Sequence, residues 1–476
     1  MKRPLYLLLL LAACGDPGGP GEGGNPASGE NYEGLAPPGT AGARTILLLS
    51  LDTLRADHLS LYGYERPTSP ELEELASEAV VYTEARSTAP WTLPSHASLF
   101  TGLYPHEHGA HNVMGTETDY ARALGLQATT LAEVLSKGGY RTAAFVANIG
   151  FLAPRFALDQ GFSEYQAERG TVGEVNDRVL SWLDEQGDEP VFLFVNYMDT
   201  HRPYNCVPRP DFPDHGGPRS SGKRMKEARR LLIQGASELP PELVGELIDQ
   251  YDTAIANLDE GLGLFFEALA ERGRFDDALL VITSDHGEFF GEKALVEHSK
   301  DVYDPVLRVP LIVRPPGGTS SRMDDAPISG AHVPGIVLSH AGVDPSSPDL
   351  EPFFANWPRK EVVAEQYASR PHDMKGSWLE RMRRVRRTIV RNGWKYIESS
   401  DGAHELYHLE SDPEELNDLF ATEPERARVL AADLGARIER GSLRAAPLVG
   451  ERVDVEAGDA DTMAELGYSG DEEDGD

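Results

Sequence analysis

The run Thr45-Ile46-Leu47-Leu48-Leu49-Ser50-Leu51 is apolar on both faces that a strand would present, and Asp52 closes it. Side chains alternate sides along a strand, so such a run is buried above and below. That places it inside a sheet covered by helices, not in a sheet with one solvated face. Further candidate strands are 142–146, 191–197, 278–283 and 309–313. Between them the apolar spacing predicts helices over 69–79, 130–137, 172–185 and 242–272. Strand and helix alternate, so the expected fold is α/β: a large, mostly parallel (mixed) sheet flanked by helices on both faces. Past residue 355 the rhythm shortens. Segments 362–365, 384–391, 395–398 and 405–408 read as a smaller C-terminal antiparallel sheet, followed by a helix over 424–438.

The ends carry a different kind of information. Lys2 and Arg3 precede the apolar stretch 5–11, which is too short to span a bilayer and reads as a secretory signal. The ending Leu11-Ala12-Ala13-Cys14 is similar to the bacterial lipobox, in which the cysteine takes a lipid; the competing reading is a plain signal cut near Ala13. The expected organisation is a lipoprotein-type signal over 1–14 and a Gly/Pro-rich tether over 15–42. A catalytic domain over 43–354 follows, then the C-terminal subdomain over 355–450 and an acidic tail over 451–476. Such a chain is exported and tethered to a membrane through Cys14, on the periplasmic or outer face. Cys206 is then left without a partner, since the chain has only two cysteines.

Forty-four basic against 78 acidic residues leave a net charge of −34, which argues against a nucleic-acid partner. It does not exclude an anionic substrate, because a bound cation inverts the local field. In open α/β sheets ligands bind beyond the carboxyl ends of the strands. Three polar groups fall at such ends: Asp52, the pair Asp285-His286, and Asp199 with His201. Aspartate is also a common helix cap there, but carboxylate and imidazole donors together suit a hard or borderline divalent cation. The segment Ala89 to Gly102 adds the Thr92 hydroxyl at the start of a small-residue helix, where the dipole favours an anion. Ser95, in the same segment, reads equally as a simple cap.

These residues resemble a sulfatase, a member of the alkaline-phosphatase superfamily. The matching stretches are 52–59, 92–96 with 99–102, 139–142, 283–288, 308–312, 392–396, 405–407 and 412–413, in family order. The resemblance implies one divalent metal ion, with Ca, Zn and Mn left open, held by Asp52, Thr92, Asp285 and His286. It makes His201 and His298 the residues that grip the anion or protonate the leaving group. His96, Asn112 and Lys300 become substrate contacts, and Lys293 a looser alternative to Lys300. It implies an anionic ester as substrate.

One departure matters most. In sulfatases the position of Thr92 is Cys or Ser, oxidised to formylglycine, and His96 would be Arg. The Lys-Trp-His motif after the 139–142 stretch is also absent; the chain reads Val146-Ala147-Asn148. Threonine cannot give that aldehyde, so no formylglycine is expected and Thr92 itself is the covalent nucleophile. A formylglycine hydrate expels its sulfate by collapsing to the aldehyde, whereas a threonine ester must be opened by water. The chemistry therefore leans to phosphate mono- or diesters and the overall similarity to sulfate esters. Two other readings stay open: a phosphoryl-group transferase acting on a cell-surface glycan or lipid, and a catalytically decayed surface binding protein.

Overall fold

A computed structural model describes residues 42–113, 120–343, 350–357, 360–367, 369, 374–445 and 448–454. The signal with Cys14, all of the tether but Gly42, and the tail beyond Asp454 lie outside the described residues.

The apolar run forms β1 (Thr45–Leu51) in the middle of an eight-stranded sheet. The other strands in chain order are β2 (Val80–Tyr82), β3 (Arg141–Val146), β4 (Glu164–Ala167) and β5 (Val191–Tyr197). β6 (Ala278–Thr283), β7 (Leu311–Arg314) and β8 (Arg322–Asp324) complete it. The spatial order is β8-β2-β7-β6-β1-β5-β3-β4. β1 pairs in parallel with β5 and β6, and β3 in parallel with β5 and β4. β7 runs antiparallel to both β6 and β2, so the sheet is mixed.

Leu47, Leu49 and Leu51 enter one hydrophobic core, while Ile46 and Leu48 enter the other. Helices Pro70–Ala76, Val172–Glu185, Gly217–Ile233 and Pro241–Glu271 close the first face. Helices Thr92–Thr101, Leu131–Lys137 and Val333–His340 close the second. β2, β4 and β8 escape the sequence reading because each has only three or four residues, too few for a period to show. β7 starts at Leu311 rather than 309, after Pro310, which has no N–H to give to a ladder.

The C-terminal sheet is a meander of β9 (Val362–Gln366), β10 (Arg386–Arg391), β11 (Trp394–Ser399) and β12 (Glu405–His408). Asn392-Gly393 makes the two-residue turn between β10 and β11, both residues at positive φ (52° and 74°), the geometry that asparagine and glycine tolerate. Helix Pro424–Ala445 outruns its expected end and lays Ala427, Leu430 and Leu434 over Val363, Ile389, Tyr396 and Leu406. Val449–Asp454 then pairs antiparallel with Tyr120–Leu124, so residues 451–454 belong to a strand.

Buried ions join the C-terminal sheet to segments outside it. Lys395 on β11 is fully buried and meets Asp304 Oδ1 at 2.8 Å and Glu415 Oε1 at 2.9 Å, while Arg86 binds the other oxygen of Asp304 at 2.8 Å. Removing one partner of such a group strands the remaining charge. Lys395→Met is therefore expected to cost about 3–5 kcal/mol in denaturant unfolding; a loss below about 1 kcal/mol would contradict this account. Glu365 on β9 accepts from His106 Nδ1 at 2.6 Å and lies 3.5 Å from Arg387 Nε. Burial alone would raise its carboxyl, but the His106 ring and the Arg387 guanidinium hold it down to about 2, from 4.5. A depressed native value adds stability that is present above about 4.5 and is lost as pH falls towards 2. Glu365→Gln is expected to flatten the acid limb of stability between those values, checked by unfolding across pH 2–6.

Candidate active site

The parallel strands β6, β1, β5 and β3 are neighbours, so their carboxyl ends meet along one edge. Asp52 follows β1, Asp285 and His286 follow β6, and Asn148 follows β3. Ligand atoms of Asp52, Asp285 and His286 lie within 4.8 Å of one another, and all three side chains are buried. Asp285 Oδ1 accepts from the backbone N–H of Thr53 (3.2 Å) and of His286 (2.9 Å). Asp52 Oδ2 accepts from Asn148 Nδ2 (2.9 Å) and Asn196 Nδ2 (3.4 Å). The second oxygens, Asp52 Oδ1 and Asp285 Oδ2, have no hydrogen-bond donor among the described residues. His286 Nδ1 donates to the Gly287 carbonyl at 2.9 Å, which leaves Nε2 with its lone pair.

Burial pushes both carboxyls up to about 7, and for Asp52 the neighbouring Asp285 charge adds to it. Burial also lowers His286. Two carboxylate oxygens without donors and an imidazole lone pair, gathered in a space without a compensating cation, are the donor set of a divalent-ion site. Asp52, Asp285 and His286 could hold one.

The local backbone is built around that need. Thr53 sits at φ 62°, an unfavourable conformation for a β-branched residue, costing on the order of 1–3 kcal/mol. It is held there by Tyr251, whose hydroxyl donates to the Thr53 carbonyl at 2.7 Å, and by Thr53 Oγ1 donating to Thr200 O at 2.7 Å. The result turns the Thr53 N–H onto Asp285. Gly287 has a different reason: a Cβ there would stand 2.1 Å from the Pro305 carbonyl oxygen, whose segment pairs with Gly287 N through Val306.

Thr92 is the first residue of helix Thr92–Thr101, preceded by the extended Trp91. Its Oγ1 lies 3.5 Å from His286 Nε2 and 3.4 Å from Asn148 Nδ2. His96, one turn on, donates from Nδ1 to the Thr92 carbonyl (2.8 Å) and accepts from Ser50 Oγ at Nε2 (2.9 Å). Burial pushes His96 down to about 3, so the ring is neutral and braces the Thr92–Thr101 helix against β1. The His298 ring lies tilted beside two others, with centroids 4.6 Å from His286 and 5.1 Å from His201. Its Nδ1 faces Glu288 Oε1 at 3.3 Å. His201 Nδ1 donates to the Arg202 carbonyl at 2.7 Å, and burial holds this ring down to about 3.

The remaining expected residues are placed elsewhere. Asp199 Oδ1 accepts from Val172 N (3.1 Å) and Asn205 Nδ2 (2.6 Å), closing a helix start and a turn. Lys300 Nζ binds Glu297 Oε2 and the His298 carbonyl, each at 3.1 Å, and so supports the turn that carries His298. Lys293 lies over the Tyr303 and Tyr407 rings, towards the C-terminal sheet. Asn112 is buried, bridges Ala121 through its backbone and accepts at its carbonyl from His111 Nδ1. Two site residues are absent from the sequence expectation: Asn148 and Asn196, the asparagines at the ends of β3 and β5. The signal for Asn148 was its place where the family carries a basic motif.

The sequence profile described as Sulfatase matches residues 44–343. The chain is 23% identical over 430 residues to the uncharacterized sulfatase YidJ of Escherichia coli K12, covering 79% of this chain and 82% of that one. It is 27% identical over 276 residues to human N-sulphoglucosamine sulphohydrolase, covering 54% of this chain and 52% of that one. A phosphonate monoester hydrolase of Agrobacterium radiobacter has the same fold, with a TM-score of 0.61 at 21% identity over 85% of this chain and 96% of that one. With the profile spanning most of the chain, and with the strand-end Asp52, Asp285 and His286 brought together around Thr92, the chain belongs to the sulfatase family of ester hydrolases.

Proposed function

We propose that the chain hydrolyses an anionic ester with Thr92 as covalent nucleophile, preferring phosphate mono- or diesters to sulfate esters. One observation supports this reading above the others. The Thr92 hydroxyl stands at a helix N-terminus beside three buried ligands whose free oxygens and ring nitrogen converge. A divalent cation bound by Asp52, Asp285 and His286 together with Thr92 would polarise the ester oxygens and acidify the attacking hydroxyl. Thr92 Oγ1 attacks the phosphorus or sulfur centre in line, and its proton passes to water. The bond to the leaving alcohol breaks, and His298 gives that alcohol a proton, since His201 is held neutral with its N–H on the Arg202 carbonyl. His298 has the better support, because a carboxylate oxygen faces its second nitrogen. Water then opens the Thr92 ester and the hydroxyl is restored. A cavity of about 380 Å³ beside His201, lined also by Asp199, Arg202 and Asn205, has room for the departing alcohol.

The preference for phosphate follows from the nucleophile. Threonine has no aldehyde to fall back to, so the second half-reaction needs attack at the central atom. In this reading residues 43–354 form the catalytic unit and 355–450 a subdomain that contributes no ligand. Aryl phosphate, aryl phosphodiester and aryl sulfate, compared with Mn²⁺, Ca²⁺ and Zn²⁺, test the whole. Thr92→Ala is expected to lose roughly 10³-fold or more in turnover, and Asp285→Asn to lose cation binding in calorimetry. Full turnover by Thr92→Ala would remove the nucleophile, and faster hydrolysis of the sulfate would remove the preference.

We also infer an exported lipoprotein anchored through Cys14. The order Lys2-Arg3, apolar stretch and Leu11-Ala12-Ala13-Cys14 supports it, and no helix among the described residues is long and apolar enough to cross a membrane. Labelled palmitate is expected to enter the wild-type protein and not Cys14→Ser, which leaves the membrane fraction. Unlabelled wild type would refute the anchor.

A further inference from the structure

We propose that Asn148 is a catalytic residue whose Nδ2 donates to the Thr92 oxygen while that oxygen gains, and later gives up, its bond to the substrate. The inference rests on the threonine nucleophile proposed above.

Asn148 occupies the turn after β3, and its amide is locked in one orientation. Its Oδ1 accepts from Phe151 N at 3.1 Å, so the NH₂ edge must face the other way. Its own backbone N–H donates to Asn196 Oδ1 at 2.9 Å, which ties the two asparagines together. The NH₂ group then has two targets. One is Asp52 Oδ2 at 2.9 Å, and the other is Thr92 Oγ1 at 3.4 Å. The second distance is long for a neutral pair, but a donor held in place tightens on an oxygen that acquires negative charge. Asn148 is fully buried, so no bulk water competes for Oγ1 from that side.

The chemistry asks for such a donor twice. In the first half-reaction Oγ1 gives its proton to water, forms its bond to phosphorus or sulfur, and the alcohol leaves protonated. In the second, water attacks, the bond to Oγ1 breaks, and Oγ1 takes a proton back. Charge is greatest on Oγ1 before the first bond forms and after the second breaks. An amide serves both moments because it neither gains nor loses a proton, unlike the basic groups that sulfatases carry near this position. Asn196 is the internal contrast: its Nδ2 reaches the same Asp52 oxygen at 3.4 Å, and that is its contact with the cluster. Any effect that Asn148 exerts only through the metal ligand would be shared with Asn196.

The test uses the full chain with 4-nitrophenyl phosphate at saturating Mn²⁺, Mn²⁺ affinity by calorimetry, and orthovanadate affinity by the fluorescence of Trp91 and the other tryptophans. Asn148→Ala is expected to lower kcat by about 10²-fold, the scale of one lost oxyanion donor. Its KM should stay within about threefold, and vanadate should bind at least about tenfold more weakly. Asn196→Ala should lower Mn²⁺ affinity and cost less than about a tenth as much in kcat as Asn148→Ala does. Asn148→Asp keeps the shape and the Phe151 contact but replaces the donor with an acceptor. It should lose kcat like the alanine variant while holding Mn²⁺ no more weakly, which covers the case of an unstable Asn148→Ala. Equal kcat and vanadate losses in Asn148→Ala and Asn196→Ala, or recovery of Asn148→Ala on raising Mn²⁺, would overturn the assignment. Wild type that neither hydrolyses the ester nor binds vanadate would remove this role and the nucleophile together. An active wild type matched by Asn148→Ala would remove this role alone.

Discussion

Two carboxylates, Asp52 and Asp285, are buried side by side at the ends of neighbouring parallel strands, and each keeps one oxygen without a donor. Taking such charges out of water costs several kcal/mol apiece unless something compensates. The protein compensates only half of each group. Backbone N–H groups of Thr53 and His286 satisfy one oxygen of Asp285, and two asparagine amides satisfy one oxygen of Asp52. The unfavourable Thr53 conformation is a consequence of aiming one of those donors. What remains unsatisfied defines the place and sign of the missing charge. The lone pair of His286, fixed by its bond to Gly287 O, points to the same conclusion.

The Thr92–Thr101 helix depends on the same arrangement. Thr92 reaches the cluster because its helix starts there, and His96 pins that first turn to Ser50 on β1. Neutral and wholly buried, His96 couples the helix to the strand that also carries Asp52. The position that the family resemblance offered as a substrate contact is thus a brace. Under the mechanism proposed above, threonine in place of formylglycine changes what the surroundings must do, since the oxygen starts from and returns to an ordinary hydroxyl. A neutral amide in place of a basic motif is consistent with that change.

Much of the fold was legible because it rests on local patterns. The two-sided apolar β1, the full-length β5 and β6 and the amphipathic helices all announce themselves through periodicity. Asn392-Gly393 announces a tight turn by the φ values that it tolerates. The short strands β2, β4 and β8 do not, because three or four residues carry too little pattern. In the site, Asp52, Asp285, His286 and Thr92 could be named because strand ends and a helix start are readable positions. Asp199 occupies an equally readable strand end, yet its carboxylate closes a turn and a helix start instead.

By itself the sequence determined the α/β class, the edge of the sheet where chemistry would gather, and the residue types available there, because these follow from spacing along one chain. Tertiary structure alone decided which of those residues meet. It set Asn148 and Asn196 against Asp52, bound Lys300 to Glu297, and turned Asp199 away to Val172. The reason is that a hydrogen bond is fixed by distances between segments far apart in the chain, such as Asn148 and Asp52. No local pattern of apolar and polar residues encodes those distances.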